Sequence, residues 1–116
     1  MEKAHDLDEI LKSEYSLEFD RLRKNRMVVS YFKYGVLKEN YGQKLVNAVK
    51  NIEKRLELYR ETGNTEHLVD VANFAMIEFM FPEHEKAHFK ATDSDKSPGL
   101  VGGMCINEIK AWSSNG

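Results

Sequence analysis

The sequence predicts an all-α protein, an antiparallel helical bundle of about four helices built on an αα-hairpin over about 43–61 and 65–80, with a long C-terminal loop. Three observations point there. Apolar residues recur at helical spacing through three long stretches. Only two prolines occur in 116 residues, and neither interrupts one of those stretches. The TGNT turn at 62–65 is so short that the helices on either side must run antiparallel. With 41% hydrophobic and 31% charged residues, the composition suits a soluble helical domain rather than a disordered chain. The length predicts one domain over 1–116, with flexible ends at 1–13 and 113–116, or a subunit that needs partners to complete its core.

Residues 1–13 are polar apart from Ile10 and Leu11, and read as a frayed lead-in or a short helix. His5 beside Asp6 and Asp8 reads as a solvated terminus rather than a metal cluster. From Glu14 to about Tyr34, Tyr15, Phe19, Leu22, Val29 and Phe32 fall on one helical stripe, and Arg26 interrupts it. The basic run RLRKNR places Arg21, Arg23, Lys24 and Arg26 together, and Gly35 is a plausible C-cap. GVLKENYG at 35–42 is a glycine-bounded connection. Leu45, Val49, Ile52, Leu56 and Tyr59 then step by 4, 3, 4 and 3, a regular seam for helix packing. Gly63 stops this helix, and Asn64 or Thr65 caps the next, which Phe81-Pro82 ends. Residues 83–103 read as a long connection, and 104–112 as a short helix or strand with Ile106, Ile109 and Trp112 packed inward.

Several function classes fall away. A net charge of −2 and a pI near 6.1 argue against a dedicated nucleic-acid binder. The single cysteine, Cys105, cannot pair internally and points to a reducing cytoplasm. There is no signal-peptide pattern and no apolar run long enough to span a membrane. Phosphate loops, GxGxxG, HExxH, CxxC and GxSxG are all missing. His84 and His88 lack a third ligand at useful spacing, and DSD at 93–95 lacks the glycine and glutamate of a calcium loop.

What remains is a conflict in EHLVDVANFAMIEFM, residues 66–80. Leu68, Val71, Ala72, Ala75, Met76 and Phe79 form one broad apolar face, while Val69, Phe74, Ile77 and Met80 ring the rest. Such a helix is expected to be buried from more than one side. Yet Glu66, Asp70 and Asn73 form a narrow polar stripe within it, and burying carboxylates is costly unless a partner compensates. Glu66 is explained by the helix dipole, whereas Asp70 lies past the first turn and has low helix propensity. Across the hairpin, Glu53 and Glu57 either pair locally with Lys50, Lys54 and Arg60 or converge with Glu66 and Asp70. Carboxylates on facing helices suit magnesium, which binds a few acids plus substrate phosphates.

The segment IEKRLELYRETGNTEHLVDVANFAM resembles the core of the MazG-like all-α nucleoside triphosphate pyrophosphohydrolases. In that family an acidic pair on one helix and a second pair on the next hold magnesium. EHLVD keeps Glu66 and Asp70 of the family's second pair with His67 at the inner position, and the first pair is spaced Glu53-xxx-Glu57 instead of ExxE. The resemblance implies Mg²⁺ held by Glu53, Glu57, Glu66 and Asp70, with Glu53, Glu57 and Asp70 as the catalytic acids. It also implies Asn73 on the substrate, Arg23 or Arg26 on phosphate, and a homodimer or homotetramer cleaving a nucleoside triphosphate to monophosphate and pyrophosphate. RLRKNRMVVSYFKYG and HFKATDSDKSPG look like small phage or prophage relatives of this group. The alternative is a non-catalytic interaction protein that keeps the fold.

Overall fold

The helix boundaries follow the capping residues. In the computed structural model, which describes residues 6–92, helix α1 spans Leu7–Glu14 behind Asp6, whose carboxylate accepts from the Asp8 N–H at 3.0 Å. Helix α2, Leu17–Tyr34, starts behind Ser16, whose hydroxyl accepts from Phe19 N–H at 2.9 Å, and ends at Gly35 with φ +83°. A short helix α3, Leu37–Asn40, lies within the stretch expected to be a plain connection. Helix α4 runs Ala48–Thr62 rather than from about 43, because the Asn47 side chain captures the Lys50 N–H at 2.9 Å and fixes the start there. Gly63, left-handed at φ +72°, stops it. Asn64 then accepts from Glu66 N–H at 3.0 Å, and helix α5 runs Glu66–Met80.

The described residues are thus helical, with no strand among them. Helices α4 and α5, joined by the short turn, pack together as the hairpin, and α2 packs on α5. No helix among the described residues is long and apolar enough to cross a membrane. By internal contacts the chain divides into Met1–Glu85, which holds the five helices found among the described residues, and Lys86–Gly116. Residues 87–92 carry no regular structure. His5, the DSD turn, Cys105 and the expected element at 104–112 lie outside the described residues.

The faces of α2 and α5 depart from their apolar patterning. On α5 the buried residues are Val69, Asp70, Asn73 and Ile77, so the polar stripe points inward. Of the broad apolar face, Ala75 and Phe79 (74% exposed) are open while Leu68, Val71, Ala72 and Met76 are half-buried, so the helix is not enclosed on all sides. On α2, Phe19, Leu22, Val29 and Phe32 are exposed, whereas Arg23, Arg26, Met27 and Ser30 are half-buried at i, i+3, i+4, i+7. Among the described residues only Ala48, Val69 and Ile77 are buried apolar side chains.

Candidate functional site

Asp70 explains why the polar stripes turn inward. Its Oδ1 accepts from Arg26 Nε of α2 at 3.3 Å, and Arg55 Nη1 of α4 stands 3.7 Å from Oδ2. One buried carboxylate therefore links three helices through two guanidinium groups, which compensates its loss of water. Asn73, one turn further on, donates from Nδ2 to the Arg23 backbone carbonyl at 3.1 Å and ties α5 to α2 a second time. Arg23 itself turns away to Asp20, with Nη2 2.9 Å from Oδ1, and its Nη1 lies 3.6 Å from Met76 Sδ. The Arg23 hydrogen bond holds the Asp20 carboxyl below its ordinary pKa, against the opposing effect of desolvation.

Around Asp70 opens a pocket of about 170 Å³. Helix α2 contributes Arg26, Lys33 and Tyr34, α4 contributes Arg55, and α5 contributes Asp70, Asn73 and Phe74. Tyr41, just after α3, completes the wall, and burial pushes its phenol pKa up, so it stays a neutral hydroxyl. Three cationic side chains and one carboxylate thus line the pocket, and two of the cations, Arg26 and Arg55, pair with that carboxylate. Asp70 Oδ2 and Asn73 Oδ1 are closed to solvent and have no hydrogen-bond donor.

The residues expected to form the site separate into two groups. Arg26, Asp70 and Asn73 come together in the pocket. Glu53, Glu57 and Glu66 are exposed and do not line it, and Arg23 is engaged with Asp20. Among the described residues no three His, Cys, Asp or Glu side chains stand together as a metal-binding group. Asp70 faces guanidinium groups instead of further carboxylates, so its surroundings do not fit a magnesium centre. The sequence reading missed Arg55, Lys33, Tyr34 and Tyr41. For Arg55 a signal existed: it lies three residues after Ile52 and four before Tyr59, on the packed side of the α4 seam.

The pocket can attract an anion, hold it through planar N–H forks, and place an aromatic or sugar ring against tyrosine and phenylalanine. Comparison with protein-family models, curated proteins and solved structures finds no match to this chain.

Proposed function

We propose that this protein binds a phosphate-bearing small molecule, best a nucleotide, in the pocket between α2, α4 and α5. One observation carries this: Arg26, Lys33 and Arg55 converge on a cavity that contains a single acid and is walled by Tyr34, Tyr41 and Phe74. Guanidinium groups match phosphate oxygens in geometry as well as charge, and the ion pairs with Asp70 hold two of them in place beforehand. Hydrolysis of a nucleoside triphosphate is the further step that the sequence resemblance adds, without the Mg²⁺ site that it also implies. A cytoplasmic setting, an antiparallel bundle of about four helices and a homodimer or homotetramer belong to the same proposal. Support for association comes from the thin core and the exposed Ala75 and Phe79 of α5.

The test is calorimetric titration of the full chain with nucleoside triphosphates, with and without magnesium, alongside detection of released pyrophosphate. Binding is expected, weakened roughly tenfold or more by Arg55→Ala or Lys33→Ala. No heat with any nucleotide overturns the proposal. Binding without turnover leaves a nucleotide-responsive protein and removes the hydrolytic step, as the non-catalytic alternative requires.

A further inference from the structure

The charges of the pocket do not balance. Among the described residues that line it, Arg26, Lys33 and Arg55 stand with Asp70 as the single acid, a surplus of two positive charges, and no histidine takes part. Tyr41 adds a hydroxyl that burial keeps neutral, so the surplus is unchanged by it. All three cations can be reached from water. Lys33 is exposed, and the Arg26 and Arg55 side chains keep 42% and 34% of their surface open. They also have donors to spare. Arg26 meets Asp70 through Nε, and its Nη1 and Nη2 groups donate no hydrogen bond among the described residues. Arg55 Nη1, 3.7 Å from Asp70 Oδ2, is beyond hydrogen-bond distance, and Lys33 has no carboxylate partner among the described residues. Size sets a second limit. At about 170 Å³ the cavity is smaller than the roughly 300–1,000 Å³ of sites that enclose a whole small molecule, so it takes the end of a ligand.

We propose that the pocket selects the doubly charged terminal phosphate of a phosphomonoester over the singly charged phosphate of a diester. This rests on the phosphate-ligand reading above and specifies which phosphate the site takes. A terminal phosphate carries about two negative charges at neutral pH and presents three unesterified oxygens, matching the charge surplus and the three cationic side chains. A diester offers one charge and two free oxygens, and its second ester arm must share a cavity with room for one end.

The experiment titrates adenosine monophosphate and cyclic adenosine monophosphate into the full chain by calorimetry, at low salt without divalent cations, at pH 7.5 and pH 5.0. The two ligands share base, sugar and phosphorus, and only the first is a monoester. At pH 7.5 the monoester is expected to bind at least about tenfold tighter. Its phosphate takes up a second proton with a pKa of about 6, so at pH 5.0 its affinity should fall several-fold. The diester does not titrate in this range, so its affinity should hold and reports any change in the protein itself. Lys33→Gln lowers the surplus to one and removes no ion pair among the described residues, and should narrow the ratio between the ligands at pH 7.5. Equal affinities in the wild type, a monoester affinity that holds down to pH 5.0, or an unchanged ratio in Lys33→Gln overturns the inference and leaves phosphate binding standing. If neither ligand binds, this inference and the phosphate reading both fall.

Discussion

The two faces of α5 invert the usual relation between polarity and burial. Its inward face carries Asp70 and Asn73 between Val69 and Ile77, while Ala75 and Phe79 on the opposite side are exposed and Leu68 and Ala72 are half-buried. A helix on a soluble surface normally does the reverse. The difference teaches that periodicity identifies a face but not what lies against it. Here the inward face is chosen by two arginines on neighbouring helices, which make burial of a carboxylate tolerable. The outward face is left to whatever covers it.

The largest expected effect comes from breaking the inward side at Asp70. Asp70→Ala leaves Arg26 and Arg55 facing each other with no acid between them. Breaking a buried pair costs about 3–5 kcal/mol, but the arginine side chains are 42% and 34% exposed, so solvent screening reduces the expectation to about 2 kcal/mol. Glu66→Ala on the exposed start of the same helix should change stability by no more than about 0.5 kcal/mol. Urea unfolding of both variants measures the contrast. Equal losses would mean that Asp70 is not the link between the helices.

Asn73 comes next. Asn73→Ala removes the bond to the Arg23 carbonyl and leaves that carbonyl without this donor, for an expected loss of about 1–2 kcal/mol by the same method. Because Asn73 and Asp70 share one interface, the double variant should depart from additivity. Additive losses would show that the two ties between α2 and α5 act independently.

These two residues also show how far the sequence could be read. The α4–α5 hairpin was legible because Gly63 must adopt a left-handed conformation and the turn leaves no room for another topology. Asp70 and Asn73 stood out because they interrupt apolar surroundings, and both are buried, with only 7% and 5% of their surface exposed. Their partners were harder to see. Glu53 and Glu57 share a helix with Arg55, and a shift of two residues along α4 turns the side chain through about 200°, enough to exchange an acid for a base opposite Asp70. Arg26 was visible as an interruption in an apolar stripe, but the apolar members of that stripe are exposed and Arg26 is half-buried. The start of α4 was misplaced because Leu45 continues the 4-3 pattern although the Asn47 cap has not yet begun the helix.

On the outward side, the same substitution should give different results in an isolated chain and in an assembly. Phe79 is 74% exposed, so in an isolated chain Phe79→Ala should change stability by no more than about 0.5 kcal/mol. In a homodimer or homotetramer that uses this face, the wild-type melting temperature should rise with protein concentration, and the variant should lose part of that rise. Sedimentation at two concentrations, paired with melting curves, separates the cases. A wild-type melting temperature independent of concentration, in a chain that sediments as a monomer, removes the oligomer from the proposal.

The smallest effect sharpens the inward side through pH. Asp20, at the start of the α2 stripe that turns toward α5, has its carboxyl pKa lowered chiefly by the hydrogen bond from Arg23, with Lys24 adding to it. A lowered folded-state pKa means that the pair contributes stability above the ordinary carboxylate value of about 3.9 and loses it as pH falls through the depressed folded value. Glu18 is lowered in the same direction by Arg21, so wild-type stability declines in this window for two reasons. The difference between wild type and Asp20→Asn isolates one of them. Melting temperatures from pH 6 down to pH 2.5 should differ by a constant amount above about pH 5, then converge in acid as Asp20 takes up its proton. Curves that stay parallel throughout would show that the Asp20–Arg23 pair contributes no pH-dependent stability. Arg23 would then be held mainly through its backbone carbonyl, by Asn73.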